Sequence, residues 1–167
     1  EAKGFSVETT FNDDIVSVEQ VLPILLEQCD VVATRMRRKE KKCTSVSVTF
    51  RTLDFRNKSH QTTLPNATDM TDEIYKNAKK LFIESWKGEP LRLIGVALTN
   101  LTDESFEQMS LFEDNEQKER HRKLDATMDA IRQKFGNDKI TRASIMNSNT
   151  GIARKARAQM KNEDEKK

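Results

Sequence analysis

The stretch from Thr44 to Leu53 reads Thr-Ser-Val-Ser-Val-Thr-Phe-Arg-Thr-Leu. Its apolar residues Val46, Val48 and Phe50 alternate with polar ones, which is the period-two pattern of a strand with one buried face. The other face offers hydroxyl groups and a cation, as expected for a sheet whose second side meets solvent or a ligand. The residues of this polar face are Ser45, Ser47, Thr49 and Arg51.

Strands and helices are predicted on both sides of this stretch. Residues 5–11 alternate as a strand, and residues 18–36 place apolar side chains along one helical face. Downstream, residues 58–64 predict a short polar strand, 74–86 a second helix, and 91–101 an apolar strand inside a sheet. The order strand, helix, strand, strand, helix, strand is typical of an α+β fold, here a four-stranded sheet with both helices on one face.

The helix starts carry conflicting signals. Ser17 with Gln20 predicts a capping box, but Pro23 would then lie inside the helix and remove a hydrogen bond. The first helix is therefore expected either to kink at Pro23 or to start later. Thr71 is the predicted cap of the second helix. The pair Asp13-Asp14 is expected to end the first strand and to complement the helix dipole rather than to hold a metal ion.

The C-terminal third is divided by composition. Residues 1–101 make up the predicted sheet domain, and residues 102–115 form an acidic linker. A C-terminal helix with a short extended segment is predicted for residues 116–145, with Leu124, Met128, Ile131 and Phe135 on its apolar face. Residues 146–167 lose apolar periodicity and predict a disordered basic tail.

Composition limits the size of the core and the range of functions. The chain has 167 residues, of which 35% are hydrophobic and 34% charged, so one domain with a small core is expected. Cys29 and Cys43 are expected to be reduced and structural. The two histidines, His60 and His121, have no partners at metal-ligand spacing, so neither a metal site nor a catalytic centre is predicted. Neither a leader nor a membrane span is recognisable, which predicts a cytoplasmic protein.

Two charged or polar surfaces could bind phosphate. The basic run Arg35–Lys42 fits a solvated helix end and a phosphate site equally well. The polar face of the sheet is the second candidate, with cations and hydroxyls from two neighbouring strands. A face that only meets water is the alternative, and an RNA-binding module is disfavoured because aromatic residues for base stacking are missing. On this face the sequence predicts Ser47, Thr49 and Arg51 together with Lys58, His60 and Thr62.

The acidic linker contains the pentapeptide Gln108-Met109-Ser110-Leu111-Phe112. Three large apolar side chains in a polar segment are expected to be buried, either against a partner protein or against the domain itself. The residues alone leave both possibilities open.

Four segments in order resemble the C-terminal region of Y-family translesion DNA polymerases of the bacterial DNA polymerase IV type. They are the Glu-Thr-Thr-Phe end of residues 4–11, the Leu-Asp-Phe end of residues 45–55, the run Pro90–Leu101, and the pentapeptide. The resemblance implies that residues 1–101 form a little-finger DNA-binding domain. It also implies that the pentapeptide docks on the bacterial sliding clamp.

By the same resemblance, the chain binds primer–template DNA as a monomer and does not polymerise by itself. The parent polypeptide would be the DNA polymerase, with Mg²⁺ held by palm-domain carboxylates and no cofactor in the present chain. A stand-alone clamp-binding module without DNA affinity is the alternative. Position 60 departs from the family pattern with His where Arg is frequent. The DNA-facing residues implied are Ser47, Thr49, Arg51, Lys58, Ser59, His60 and Thr62.

Overall fold

The computed structural model describes residues 3–103, 115–137 and 140–143. The predicted α+β fold is confirmed, with a four-stranded antiparallel sheet and helices on one of its faces. No helix in these ranges combines the length and the apolar character needed to cross a lipid bilayer. The elements are β1 (Gly4–Ile15), α1 (Val18–Arg38), β2 (Lys42–Thr52), β3 (Asn57–Thr68), α2 (Thr71–Ser85), β4 (Leu91–Thr102) and α3 (Asn115–Phe135).

The strands lie in the order β1-β4-β2-β3, and every neighbouring pair is antiparallel. Strand β2 is therefore internal, and β1 and β3 form the two edges. Val48 pairs with Val96 of β4, and Phe50 pairs with Ile94. These side chains point to the face that α1 and α2 cover, which is why the apolar alternation of β2 and β4 was readable in the sequence.

The core lies between this face and the two helices. Phe50 and Phe82 are fully buried and meet edge to face, with ring centroids 5.9 Å apart. Ile24 and Leu25 of α1 are also fully buried. Each such side chain contributes roughly 1.5–3 kcal/mol through burial. One face of the sheet thus packs against the core, and none of the helices that the structure describes covers the other face.

The first strand is longer than predicted. Asp13 and Asp14 lie within β1, which continues to Ile15, so the expectation that they end the strand was wrong. The β1–β4 register shifts between Thr10 and Ile15, which indicates a bulge that absorbs the polar residues. Asp14 is within 3.6 Å of Arg92, an exposed ion pair rather than a metal site.

The first helix starts at Val18 and includes Pro23, so it does not start later. The Ser17 hydroxyl accepts a hydrogen bond from the Gln20 amide at 3.3 Å, as a cap does. The Gln20 side chain accepts in turn from the Val16 amide at 3.3 Å. This reciprocal cap stabilises the first turn and offsets part of the hydrogen bond that Pro23 removes.

The third strand is also longer than predicted, since it extends through Pro65 to Thr68. Proline is tolerated there because β3 is an edge strand and pairs only with β2. The predicted end at residue 64 followed the rule that proline interrupts central strands. That rule does not apply at an edge.

The second helix lacks the predicted Thr71 cap. Met70 is the N-cap residue, and its side chain makes no capping hydrogen bond. The Thr71 amide instead donates to the Asp125 carboxylate of α3 at 3.1 Å. Burial raises the pKa of Asp125, while the positive charge of Arg37 and the hydrogen bond from Thr71 oppose the rise. A residue 54 positions away in the chain therefore stabilises this helix end.

Helix α3 packs on the domain mainly through charged side chains. Of its predicted apolar face only Met128 is buried, whereas Leu124 is 45% and Phe135 59% exposed. That part of the prediction was wrong. The side of α3 that faces the domain instead buries Asp125 and Arg132, at 4% and 5% exposure.

Candidate functional site

The helix-free face of the sheet, called the open face below, consists of four cross-strand rows that the register defines. Directly paired residues of antiparallel strands point to the same side of a sheet, so each row gathers one residue from every strand. From one end to the other the rows are Gly4–Thr99–Ser45–Thr63, Ser6–Ala97–Ser47–Gln61, Glu8–Gly95–Thr49–Ser59 and Thr10–Leu93–Arg51–Asn57.

Side-chain hydrogen bonds connect β2 and β3 on the open face. Thr49 Oγ1 lies 3.1 Å from Ser59 Oγ, and Arg51 Nε donates to Asn57 Oδ1 at 2.7 Å. Asn57 accepts only from Nε, so it orients the Arg51 guanidinium without occupying the terminal NH₂ groups of Arg51. These contacts hold polar groups in a regular array, with rows about 6.7 Å apart along each strand.

A further bond extends the array by one row, since Gln61 Nε2 donates to Ser45 Oγ at 2.7 Å. Ser47 Oγ lies 3.5 Å from the Ala97 carbonyl oxygen. The β2–β3 half of the open face is therefore polar and preorganised.

The structure corrects the predicted site on β3. Lys58, His60 and Thr62 pair with Phe50, Val48 and Val46, so they point to the helix side of the sheet and not to the open face. The His60 ring stacks against Phe50 with centroids 6.1 Å apart, and Lys58 Nζ lies 5.9 Å from the centre of the same ring. Four of the seven predicted residues do share the open face: Ser47, Thr49, Arg51 and Ser59.

Lys58 is further engaged by an ion pair, because its Nζ lies 2.8 Å from the Glu89 carboxylate. The hydrogen bond from Lys58 lowers the pKa of Glu89. A shallow recess of about 340 Å³ adjoins this pair at the β2–β3 turn. Its charges are compensated there, since Arg56 pairs with Asp54 at 3.1 Å. The recess therefore offers no uncompensated charge to a ligand.

Sequence reasoning missed the β3 residues that do lie on the open face beside Ser59. These are Asn57, Gln61 and Thr63. Residues 57–63 are all polar, so β3 carries no alternation from which a face could be read. The length of the β2–β3 turn was the only usable signal, because turn length fixes register in a hairpin.

The basic run Arg35–Lys42 is largely engaged inside the domain. Arg37 Nε lies 2.6 Å from the Asp129 carboxylate, and Arg37 also donates to the Asp69 carbonyl oxygen at 2.8 Å. Burial alone would lower the pKa of Arg37, but the hydrogen bond that Arg37 donates to Asp129 and the nearby carboxylates outweigh burial and raise this pKa. Arg38 donates to Asn137 at 2.8 Å. Arg37 thus binds helix α3 and Arg38 binds a residue just after it, which disfavours the phosphate alternative.

The pentapeptide Gln108–Phe112 lies outside the described residues, as does the predicted tail 146–167. Within the described ranges, no group of three or more His, Cys, Asp or Glu side chains is placed to hold a metal ion.

An antiparallel sheet with helices on one face and ordered rows of polar side chains on the other defines an α+β domain with an open polar sheet face. Comparison with known proteins identifies the family to which this domain belongs. Residues 2–111 match the model of the impB/mucB/samB family C-terminal domain, and the chain belongs to that family.

Curated relatives extend the match beyond the sheet domain. DNA polymerase IV of Clostridium acetobutylicum is 42% identical over 146 residues, which cover 87% of this chain and 37% of that protein. DNA polymerase IV of Alkaliphilus oremlandii is 35% identical over 153 residues, covering 86% and 38%. The chain thus spans a little over a third of the length of these relatives.

Solved structures agree on the fold. A post-insertion binary complex of Dbh DNA polymerase superposes with a TM-score of 0.54 at 20% identity, over 60% of this chain and 29% of that one. At this identity the likeness establishes the shared fold.

Proposed function

We propose that this chain is the DNA-binding C-terminal region of a translesion DNA polymerase. In this proposal the open face grips the backbone of the primer–template, and the pentapeptide docks the enzyme on the sliding clamp. The observation that carries the proposal is the array of Ser47, Thr49 and Arg51 with Asn57, Ser59 and Gln61 on one helix-free face. Membership of the impB/mucB/samB family and similarity to DNA polymerase IV relatives support it.

The chemistry of the array suits phosphate oxygens. Hydroxyl, amide and guanidinium groups donate to phosphates, and such contacts hold a duplex in position without reading its sequence. The guanidinium of Arg51 is the strongest of these donors, because a charge-assisted hydrogen bond exceeds a neutral one. A grip of this kind tolerates a damaged base, since the base itself is not recognised. Little sequence specificity is expected.

The outer edge of β3 can add to the grip. Among the strands that the structure describes, β3 pairs only with β2, so these strands leave alternate backbone N–H groups along its other side to an acceptor. Lys58, His60 and Thr62 would take part only where DNA also reaches around this edge. The polymerase activity itself, with Mg²⁺ on palm carboxylates, is proposed for the parent polypeptide.

Clamp docking is proposed for Gln108–Phe112. The Gln amide would anchor the peptide by hydrogen bonds, and Met109, Leu111 and Phe112 would fill an apolar pocket. Each burial contributes roughly 1.5–3 kcal/mol, less the cost of ordering the segment. An affinity on the order of micromolar is expected.

The DNA proposal is tested by fluorescence anisotropy of a labelled primer–template with the full chain between 50 and about 300 mM salt. Gln61→Glu on the open face should weaken binding severalfold through repulsion of phosphate. Gln133→Glu on the exposed side of α3 makes the same change in charge and should leave binding unchanged. Equal affinities for the two variants would contradict the proposal, and no DNA affinity with intact clamp binding would favour the clamp-only module.

The clamp proposal is tested by calorimetric titration of the chain into a purified bacterial sliding clamp. A variant with Gln108, Leu111 and Phe112 changed to alanine should lose binding. A control with Glu104, Ser105 and Glu113 changed to alanine should keep it. Binding that survives the first set of changes would place the clamp contact elsewhere.

A further inference from the structure

One acidic side chain lies among the rows of the open face. Glu8 occupies the same row as Gly95, Thr49 and Ser59. It is exposed, and no described side chain forms an ion pair with it. A carboxylate repels the phosphate backbone that the rest of this face is suited to bind, so its position needs a functional explanation.

The backbone beneath Glu8 directs it toward the middle of the sheet. A Cβ atom added to Gly95 would lie 2.7 Å from Glu8 Cγ and 3.1 Å from the Val7 carbonyl oxygen. The absence of a side chain at residue 95 therefore lets the Glu8 stem lie across β4 instead of standing out from the edge. Glycine inside a strand often marks such a close approach.

Electrostatics then divides the open face into two halves. Arg51 is the only cationic residue of the four rows, and it lies on β2. Neighbouring strands are about 4.8 Å apart, so the backbones of β1 and β2 are separated by roughly 10 Å. Because the Glu8 stem lies across β4, its carboxylate is closer to β2 than this distance, within the Debye length of about 10 Å in about 0.1 M salt, and a phosphate that moves from β2 toward β4 meets growing repulsion.

We infer that Glu8 is a specificity-determining residue that confines bound DNA backbone to the β2–β3 half of the open face. The inference rests on the proposed function. Glu8 acts by excluding phosphate from β1 and β4, which keeps the backbone in register with Arg51, Thr49 and Ser59. As a consequence the affinity for DNA is lower than the whole face would allow, because the polar groups of Ser6 and Thr10 on β1 do not contact phosphate.

The test compares Glu8→Gln with Glu84→Gln in the full chain. Both variants raise the net charge by one, but Glu84 is exposed on helix α2, away from the open face. By anisotropy with a primer–template in about 0.1 M salt, Glu8→Gln should bind about threefold or more tightly than wild type, and Glu84→Gln should match wild type.

Nuclear magnetic resonance titration tests the path of the DNA. In wild type, the amide signals of Thr49 and Ser59 should shift with DNA while those of Ser6 and Thr10 stay in place. In Glu8→Gln the β1 signals should shift as well.

If wild type binds DNA but Glu8→Gln and Glu84→Gln bind it with equal affinity, the inference about Glu8 is wrong while the proposed function stands. The same conclusion follows if the β1 amide signals of wild type shift when DNA is added. No DNA binding by wild type and by Glu8→Gln would overturn the proposed function and the inference with it.

Discussion

Arg132 of α3 donates two hydrogen bonds to the carboxylate of Asp30 in α1, at 2.7 and 3.2 Å, and both side chains are at most 5% exposed. This pair is the centre of a polar contact between α3 and the sheet domain. Arg142 extends it to Asp125 at 3.0 Å, and Asp125 in turn caps α2. Helix α3 is thus held by a network of charges in which each member has a specific partner.

Removing one partner of this network should detach α3. Arg132→Met removes the two hydrogen bonds to the buried Asp30 carboxylate and leaves only Arg142, at 4.0 Å, beside it. Breaking a buried ion pair in this way costs up to about 3–5 kcal/mol where the structure cannot relax. Because α3 buries little apolar surface, release of the helix is the cheaper response. Hydrogen exchange should therefore show lost protection in α3 and in the first turn of α2, with the strands unchanged. Lys123→Met, at an exposed position of α3, is the control, and retained protection of α3 in Arg132→Met would contradict this account.

Neutralising Arg51, the cation within the four described rows of the open face, should weaken DNA binding. Arg51→Gln removes a charge-assisted contact, for which a loss of roughly tenfold in affinity is expected. The slope of log affinity against log salt should also fall in magnitude by about 0.9, as for one phosphate contact. Arg92→Gln has the same change in charge, but Arg92 lies outside the four rows, at the register shift of β4, where it pairs with Asp14 at 3.6 Å. If Arg92→Gln lowers the affinity for DNA as much as Arg51→Gln does, the prediction is wrong.

A glycine should stabilise the end of α1. Glu40 has a φ of 53°, and the amides of Glu40 and Lys41 donate to the carbonyl oxygens of Arg37 and Met36 at 2.9 and 3.2 Å. This is the Schellman arrangement, in which glycine is preferred at the left-handed position. Glu40→Gly should raise the free energy of unfolding by about 0.5–1 kcal/mol, seen as a higher urea midpoint at constant slope. Glu40→Ala keeps the Cβ atom and should bring no such gain.

The buried thiols should make the domain less stable at alkaline pH. Burial raises the pKa of Cys43 to about 12 and that of Cys29 still further. An unfolded thiol ionises near pH 8.5, so above that pH the unfolded state binds fewer protons and gains stability relative to the fold. The stability contributed by the neutral thiols is complete below about pH 8.5 and falls as the pH rises toward 12.

Urea unfolding at pH 7.5, 9 and 10 measures this loss. A variant with both cysteines changed to alanine is less stable at every pH, since it loses buried side chains, but its stability should fall less steeply. Parallel pH dependences of wild type and variant would show that other groups cause the loss.

Much of the fold was predictable because its apolar residues follow a local period. Val46, Val48 and Phe50 on β2 defined the buried face before any contact was known, and their burial is complete in the structure. The same pattern failed on α3, where Asp125 and Arg132 are buried by partners that lie far away in the chain. Hydrophobic periodicity predicts which apolar residues are buried, but it cannot predict charged residues that are buried as ion pairs.

The sequence alone determined the element order, the two helices on one side of the sheet, and the polar nature of the other side. Each of these follows from hydrophobic pattern within a single segment. Only the tertiary structure decided which polar residues of β3 share the open face with Arg51. Its register pairs Arg51 with Asn57, and a slip of one residue would have brought Lys58 and His60 to that face instead. In a uniformly polar strand the sequence does not indicate which residues face which side of the sheet. The register with the neighbouring strand and the connecting turn determine it.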